Sequence, residues 1–102
     1  MDDNCQTIGA QELILIVDDE PRNVRILQKA LDTKYNLCIA ENGEQALEMV
    51  DKHSPAIVLL DIMMPILDGY EVCRKIRENS KYHLTKVILV SGKAMVEPTF
   101  RS

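Results

Sequence analysis

Two kinds of apolar pattern alternate along the chain. Continuous apolar runs occur at Leu13-Ile14-Leu15-Ile16-Val17, at Ala56-Ile57-Val58-Leu59-Leu60 leading into Asp61, and at Val87-Ile88-Leu89-Val90. Runs of this length, bounded by polar or turn residues, read as strands buried on both faces. A fourth run, Tyr35 to Ala40, contains Asn36 and is expected at a sheet edge. Between the runs the apolar residues recur at helical spacing. Val24, Leu27 and Leu31 follow Pro21, with Ile26 and Ala30 widening the face. Ala46, Leu47 and Val50 mark a second helix over residues 44–53, and Val72, Cys73 and Ile76 a third over 69–78. Pro21 suits a first helical turn, where its missing N–H goes unused. Asn42-Gly43 and Ser54-Pro55 are turn and stop signals.

The resulting order, β-α-β-α-β-α-β with short connections, predicts a parallel sheet with right-handed helical crossovers. Residues 1–11 are polar with one glycine and are expected to form a flexible leader. The chain has 102 residues, which suits one small domain with one core. Its net charge is −4 and its Lys and Arg residues are scattered, which argues against a nucleic-acid surface. No apolar run reaches the length of a membrane span, and the acidic start lacks a signal-peptide pattern, so a cytoplasmic location away from membranes is expected.

The three cysteines, Cys5, Cys38 and Cys73, show no metal-ligand spacing. Cys38 and Cys73 are expected as small buried apolar residues and Cys5 as part of the leader. His53 and His83 are expected at the surface.

A parallel sheet brings the carboxyl ends of its strands to one edge. Asp18-Asp19, Asp61 and Ser91 follow three of the four strands and should converge there. Two carboxylates about 5 Å apart repel by roughly 3 kcal/mol at an effective dielectric near 20. A hard divalent cation would relieve this, and Mg²⁺ suits a site offering one or two carboxylates. Asp61 could then act as a nucleophile toward phosphorus, giving an acyl phosphate, with the Ser91 hydroxyl donating to a transferring oxygen. For Asp18 alone, capping of the next helix is the simpler role. The four groups together argue for a site. Met63 and Met64 read as loop residues shielding it, since a thioether is a poor partner for magnesium.

In this order and spacing, four stretches resemble the receiver domain of two-component response regulators. They are Ile14-Leu15-Ile16-Val17-Asp18-Asp19-Glu20-Pro21, Ala40-Glu41-Asn42-Gly43-Glu44-Gln45-Ala46-Leu47, Leu59-Leu60-Asp61-Ile62-Met63-Met64-Pro65 with Asp68-Gly69, and Val87-Ile88-Leu89-Val90-Ser91. The resemblance covers residues 12–97. It implies a flavodoxin-like α/β fold of three layers, with strand order 2-1-3-4 for the strands present. It also implies that Asp61 accepts a phosphoryl group from a histidine kinase phosphohistidine or a phosphotransfer protein. Asp19 would bind Mg²⁺ directly and Asp18 largely through water. The backbone carbonyl of Met63 would be a further ligand beside Asp61, and Ser91 would be the switch hydroxyl.

The family pattern continues with a fourth helix, a fifth strand bearing a switch aromatic and a phosphoryl-pairing lysine, and a fifth helix. Here Lys93-Ala94-Met95-Val96-Glu97 reads as the start of the fourth helix, and the pattern is lost at Pro98. Residues 98–102 read as a tail outside the family pattern, and no residue matches the lysine. The resemblance therefore implies a sheet lacking the fifth strand and fifth helix. The fourth strand would be an open edge. Self-association through residues 87–90 and the flank of the first helix is expected, aided by Met95, Val96 and Phe100. Two other functions compete with phosphoacceptance. One is a degenerate receiver serving as an assembly module. The other is a magnesium-dependent phosphatase with an Asp nucleophile, which position 63, a Met, disfavours because such enzymes often carry Asp there.

Overall fold

The computed structural model describes residues 5–62 and 68–90. Its strands are β1 (Cys5–Gln6), β2 (Leu13–Val17), β3 (Asn36–Ala40), β4 (Ile57–Asp61) and β5 (Lys86–Val90). Its helices are α1 (Pro21–Leu31), α2 (Gly43–His53) and α3 (Gly69–Glu78), with a 3-10 turn at Ser80–Tyr82. The sheet order is β1-β3-β2-β4-β5. Strands β2 to β5 are parallel and follow the expected order of second, first, third, fourth.

Alternate side chains of a strand face opposite ways, and the sheet carries a layer of packing on each side. On one face, Leu15, Val17, Cys38, Val58 and Leu60 pack against Ala46 and Val50 of α2 and Val72 and Ile76 of α3. On the other, Ile14, Ile16 and Leu37 pack against Val24, Leu27 and Leu31 of α1. The expected stripe on α1 is too wide: Ile26 is 56% exposed and Ala30 is exposed as well. On α2, Met49 is buried beside Ala46 and Val50, while Leu47 is only half-buried.

Local chemistry sets the helix ends. The Asn42 side chain accepts the Gln45 N–H at 2.8 Å, and Gln45 Oε1 accepts the Glu41 N–H at 2.6 Å. The two bonds satisfy two backbone donors at the start of α2, the Gln45 side chain reaching one residue past the N-cap. Ser54, in the left-handed region at φ 48°, ends α2 ahead of Pro55. Asp68 caps α3 by accepting the Glu71 N–H at 2.9 Å.

The sheet differs from expectation at one edge. It has five strands rather than four, because Cys5–Gln6, inside the expected leader, pairs antiparallel with β3. Asn36 supplies the reason. Its buried side chain accepts the Ile8 N–H at 2.5 Å and donates to Gly9 O at 3.0 Å and Gln11 O at 2.8 Å. A polar residue expected to mark an exposed edge instead holds a neighbouring segment against it. Strand β3 is thus an interior strand over part of its length. The expected end of the family pattern, the Met95, Val96 and Phe100 cover and residues 98–102 lie outside the described residues.

Cys38 is buried as expected, but it is bonded to Cys5. Cys73 is half-buried, packed against the core and a free thiol. No helix among the described residues is long and apolar enough to cross a membrane.

Candidate functional site

Strands β2 and β4 are neighbours, with Val17 opposite Leu60. The residues that follow, Asp18 and Asp61, therefore leave the sheet side by side. The Asp18 N–H donates to Ala40 O at 3.0 Å, which carries the ladder one residue beyond β2. Both carboxyl groups are largely buried: Asp18 is 5% exposed and Asp61 7%. Asp19 is exposed. One carboxylate oxygen from each of Asp18, Asp19 and Asp61 lies within 4.8 Å of the others. The convergence expected from topology is present for these three residues. Ser91 and Met63 lie outside the described residues.

Asp18 Oδ1 accepts the Glu20 N–H at 2.9 Å, which fixes the turn into α1. The expected capping of α1 by Asp18 is not made: the N-cap is Glu20, with no side-chain cap, and Asp18 braces the turn before it while also joining the cluster. Burial pushes the Asp18 carboxyl above its ordinary range. The Glu20 N–H and the Asn23 side chain pull it down, while the charges of Asp61 and Asp19 push it up. Asn23 was not among the expected site residues. It stands within the first turn of α1, five positions after Asp18, and the predicted helix start at Pro21 was the signal that could have found it.

Behind Asp61, the Ile62 N–H donates to Val90 O at 3.1 Å, and the Gly69 N–H donates to Ile62 O at 3.0 Å. The start of α3 thus presses on the backbone of the Asp61 turn. A Cβ at Gly69 would collide with the Asp61 carbonyl oxygen and lie 2.8 Å from Ile62 Cα. Beside the carboxylates, a groove lined by Arg25, Gln28, Ile39 and Glu41 runs between α1 and the end of β3.

The donor set is three carboxylates, two of them withdrawn from water. Hard oxygen donors of this kind fit a hard divalent cation such as Mg²⁺ and disfavour softer metals. The Asp18 carboxyl is raised first by burial and then by the charges of Asp61 and Asp19, and a cation held among the three would favour its ionised form.

The model of the response regulator receiver domain family matches residues 14–101. Among curated relatives, the chain is 48% identical over 71 residues to a probable transcriptional regulator, ycf27, of Porphyra purpurea, covering 69% of this chain and 29% of that one. It is 39% identical over 88 residues to a probable cyclic di-GMP phosphodiesterase of Vibrio cholerae, covering 86% of this chain and 20% of that one. The chain thus spans less than a third of the length of these relatives. Among solved structures, the receiver domain of a sensor histidine kinase of Pseudomonas aeruginosa, with a magnesium ion coordinated in its active-site cleft, aligns with TM-score 0.76 and 28% identity. That alignment covers 84% of this chain and 71% of the other.

Proposed function

Because the chain belongs to the response regulator receiver domain family, we propose that it accepts a phosphoryl group on Asp61 from the phosphohistidine of a histidine kinase or phosphotransfer protein. The observation that carries this is the convergence of Asp18, Asp19 and Asp61 within 4.8 Å at the carboxyl edge of a parallel sheet. An Asp61 oxygen attacks phosphorus in line with the leaving nitrogen. The new O–P bond gives an acyl phosphate, the P–N bond breaks, and the imidazole leaves as its neutral form after taking up a proton. Asp18, Asp19 and Asp61, with the Met63 carbonyl, would hold Mg²⁺, and the ion would supply positive charge to offset that on the transferring oxygens. Asp18 stays in place through its bond from Glu20. Gly69 allows α3 to lie against the Asp61 backbone, which limits where the nucleophile can point. Ser91 is assigned the hydroxyl that donates to the bound phosphoryl group.

In this reading the chain catalyses only its own phosphorylation and dephosphorylation, works in the cytoplasm, and passes its signal by protein contact without binding nucleic acid directly. Self-association on the β5 flank is a second proposal. Ile88 is 48% exposed there, and Leu84, just before the strand, is 79% exposed. Light scattering at micromolar concentration should then show species larger than one chain.

The phosphoacceptor reading is tested by incubating the chain with a small phosphodonor and Mg²⁺ and measuring intact mass. One phosphoryl adduct is expected, absent in Asp61→Asn and absent when the cation is chelated. An adduct that persists in Asp61→Asn would move the chemistry elsewhere. Mg²⁺ binding without any adduct would favour an assembly module, and turnover of added phosphomonoesters a phosphatase.

A further inference from the structure

Outside the carboxylate cluster, three reactive side chains from three different elements meet at the β1 edge of the sheet. Cys5 lies directly opposite Cys38 in the antiparallel pair, and their sulfurs are bonded across 33 residues of sequence. His53, the last residue of α2, places Nε2 4.0 Å from Cys5 Sγ. We propose that Cys5 and Cys38 form a thiol–disulfide exchange site, with His53 as its positioning imidazole, through which low-molecular-weight thiols and disulfides cover and uncover the edge of β3.

Access decides which sulfur reacts. Cys38 is 2% exposed and sits inside the core cluster, whereas Cys5 is half-buried on the outermost strand. Exchange therefore enters at Cys5. In the opening direction a small thiolate attacks Cys5 Sγ, the Cys5–Cys38 bond breaks, and Cys38 leaves as a thiolate that takes up a proton. A second small thiolate attacks the outer sulfur of the mixed disulfide and releases Cys5. The sum is one protein disulfide and two small thiols giving two protein thiols and one small disulfide. Closure runs the same steps in reverse, with the Cys5 thiolate attacking the small disulfide. His53 Nε2, 4.0 Å from that sulfur, is placed to take the Cys5 thiol proton as the sulfur attacks.

Two features make the pair a device and not only a staple. Asn36 holds residues 8–11 by three hydrogen bonds of its own, so Cys5 stays near Cys38 after the bond opens, and reclosure is intramolecular. Strand β1 has only two residues, so the bond carries much of its attachment. Reduction frees the N–H and C=O of Leu37, which face β1 because those of Asn36 and Ala40 on either side of it in the alternation face β2, and β3 becomes an edge able to pair with another strand.

The full chain is equilibrated in glutathione buffers from oxidising to reducing, quenched, alkylated in denaturant and weighed intact. One alkylated cysteine, Cys73, is expected at the oxidising end and all three at the reducing end, reversibly. Hydrogen exchange should show β1 and the Leu37 amide losing protection on reduction while Cys38, whose amide faces β2, and α3 keep theirs. Cys5→Ser in oxidising buffer should match the reduced chain. His53→Gln should slow mixed-disulfide formation at Cys5. A single adduct in excess reduced glutathione, or three adducts in excess oxidised glutathione, would overturn the proposal. So would equal β3 protection in both forms. An unchanged rate in His53→Gln would overturn the imidazole's part in it.

Discussion

Gly69 lies so close to Asp61 that the smallest side chain on its Cα would strike the Asp61 carbonyl oxygen. The obstruction is backbone, which cannot swing aside as a flexible side chain can. The start of α3 and the Asp61 turn are thereby held together.

Gly69→Ala should therefore act on both stability and chemistry. Overpacking against backbone costs about 1–3 kcal/mol. Urea unfolding should show a loss of that order, and phosphodonor labelling of Asp61 should slow in the folded fraction. Normal labelling at lowered stability would separate the turn from the nucleophile's placement.

The Asp18 carboxyl gives a pH dependence whose sign depends on the cation. Its folded value lies above the ordinary Asp value, chiefly through burial. Without metal, the stability it contributes is fully present below the unfolded Asp value. It is lost as pH rises through the raised folded value. Cation binding needs the ionised form, so stabilisation by Mg²⁺ should grow over the same interval. Urea midpoints measured against pH, with Mg²⁺ and with chelator, check this. Asp18→Asn should be more stable than the parent at neutral pH in chelator, and should gain less from Mg²⁺.

Asn36→Ala removes an acceptor for Ile8 N–H and two donors to Gly9 and Gln11. Ile8, Gly9 and Gln11 are exposed and can bond water once released, so each lost bond costs about 0.5–1.5 kcal/mol. Urea unfolding should show that loss, and hydrogen exchange should show Ile8 losing its protection first.

Opening the Cys5–Cys38 bond enlarges the unfolded ensemble. For a loop of 33 residues the expected loss is about 2–4 kcal/mol. Cys5→Ser is the cleaner probe, since Cys38→Ala would also empty a core position. The Asp61 labelling rate should be unchanged in Cys5→Ser, because the site's three carboxylates hang on β2 and β4, away from β1.

What the sequence showed and what it hid divide along a physical line. Leu15, Val17, Val58 and Leu60 lie in unbroken apolar runs, so their strands were legible from short-range pattern. The meeting of Asp18, Asp19 and Asp61 was legible one step later, because parallel pairing obliges strand ends to share an edge. Asn36 misled because a polar residue in a strand has two readings, exposed or bracketed, and only the position of residues 8–11 chooses between them. The bond between Cys5 and Cys38 depends on a two-residue strand too short to leave a periodic signal. His53 reaches Cys5 only because α2 ends beside that strand. Ile26 fits the apolar stripe of α1 by spacing, but the face of the sheet beneath α1 offers few buried partners: Ile14, Ile16 and Leu37.

The two-sided packing of β2 also acts as a ruler for the chemistry. Ile14 and Ile16 belong to one core, Leu15 and Val17 to the other. Sliding β2 by one residue would exchange these sets between faces and move Asp18 along the strand by about 3.3 Å. That is a large step against the 4.8 Å that brings the three carboxylates together. A misregistered chain would lose its packing and its acidic cluster in the same event. Quality control of the fold is then also quality control of the signal: a chain that survives as a folded molecule has, by that fact, its carboxylates in place.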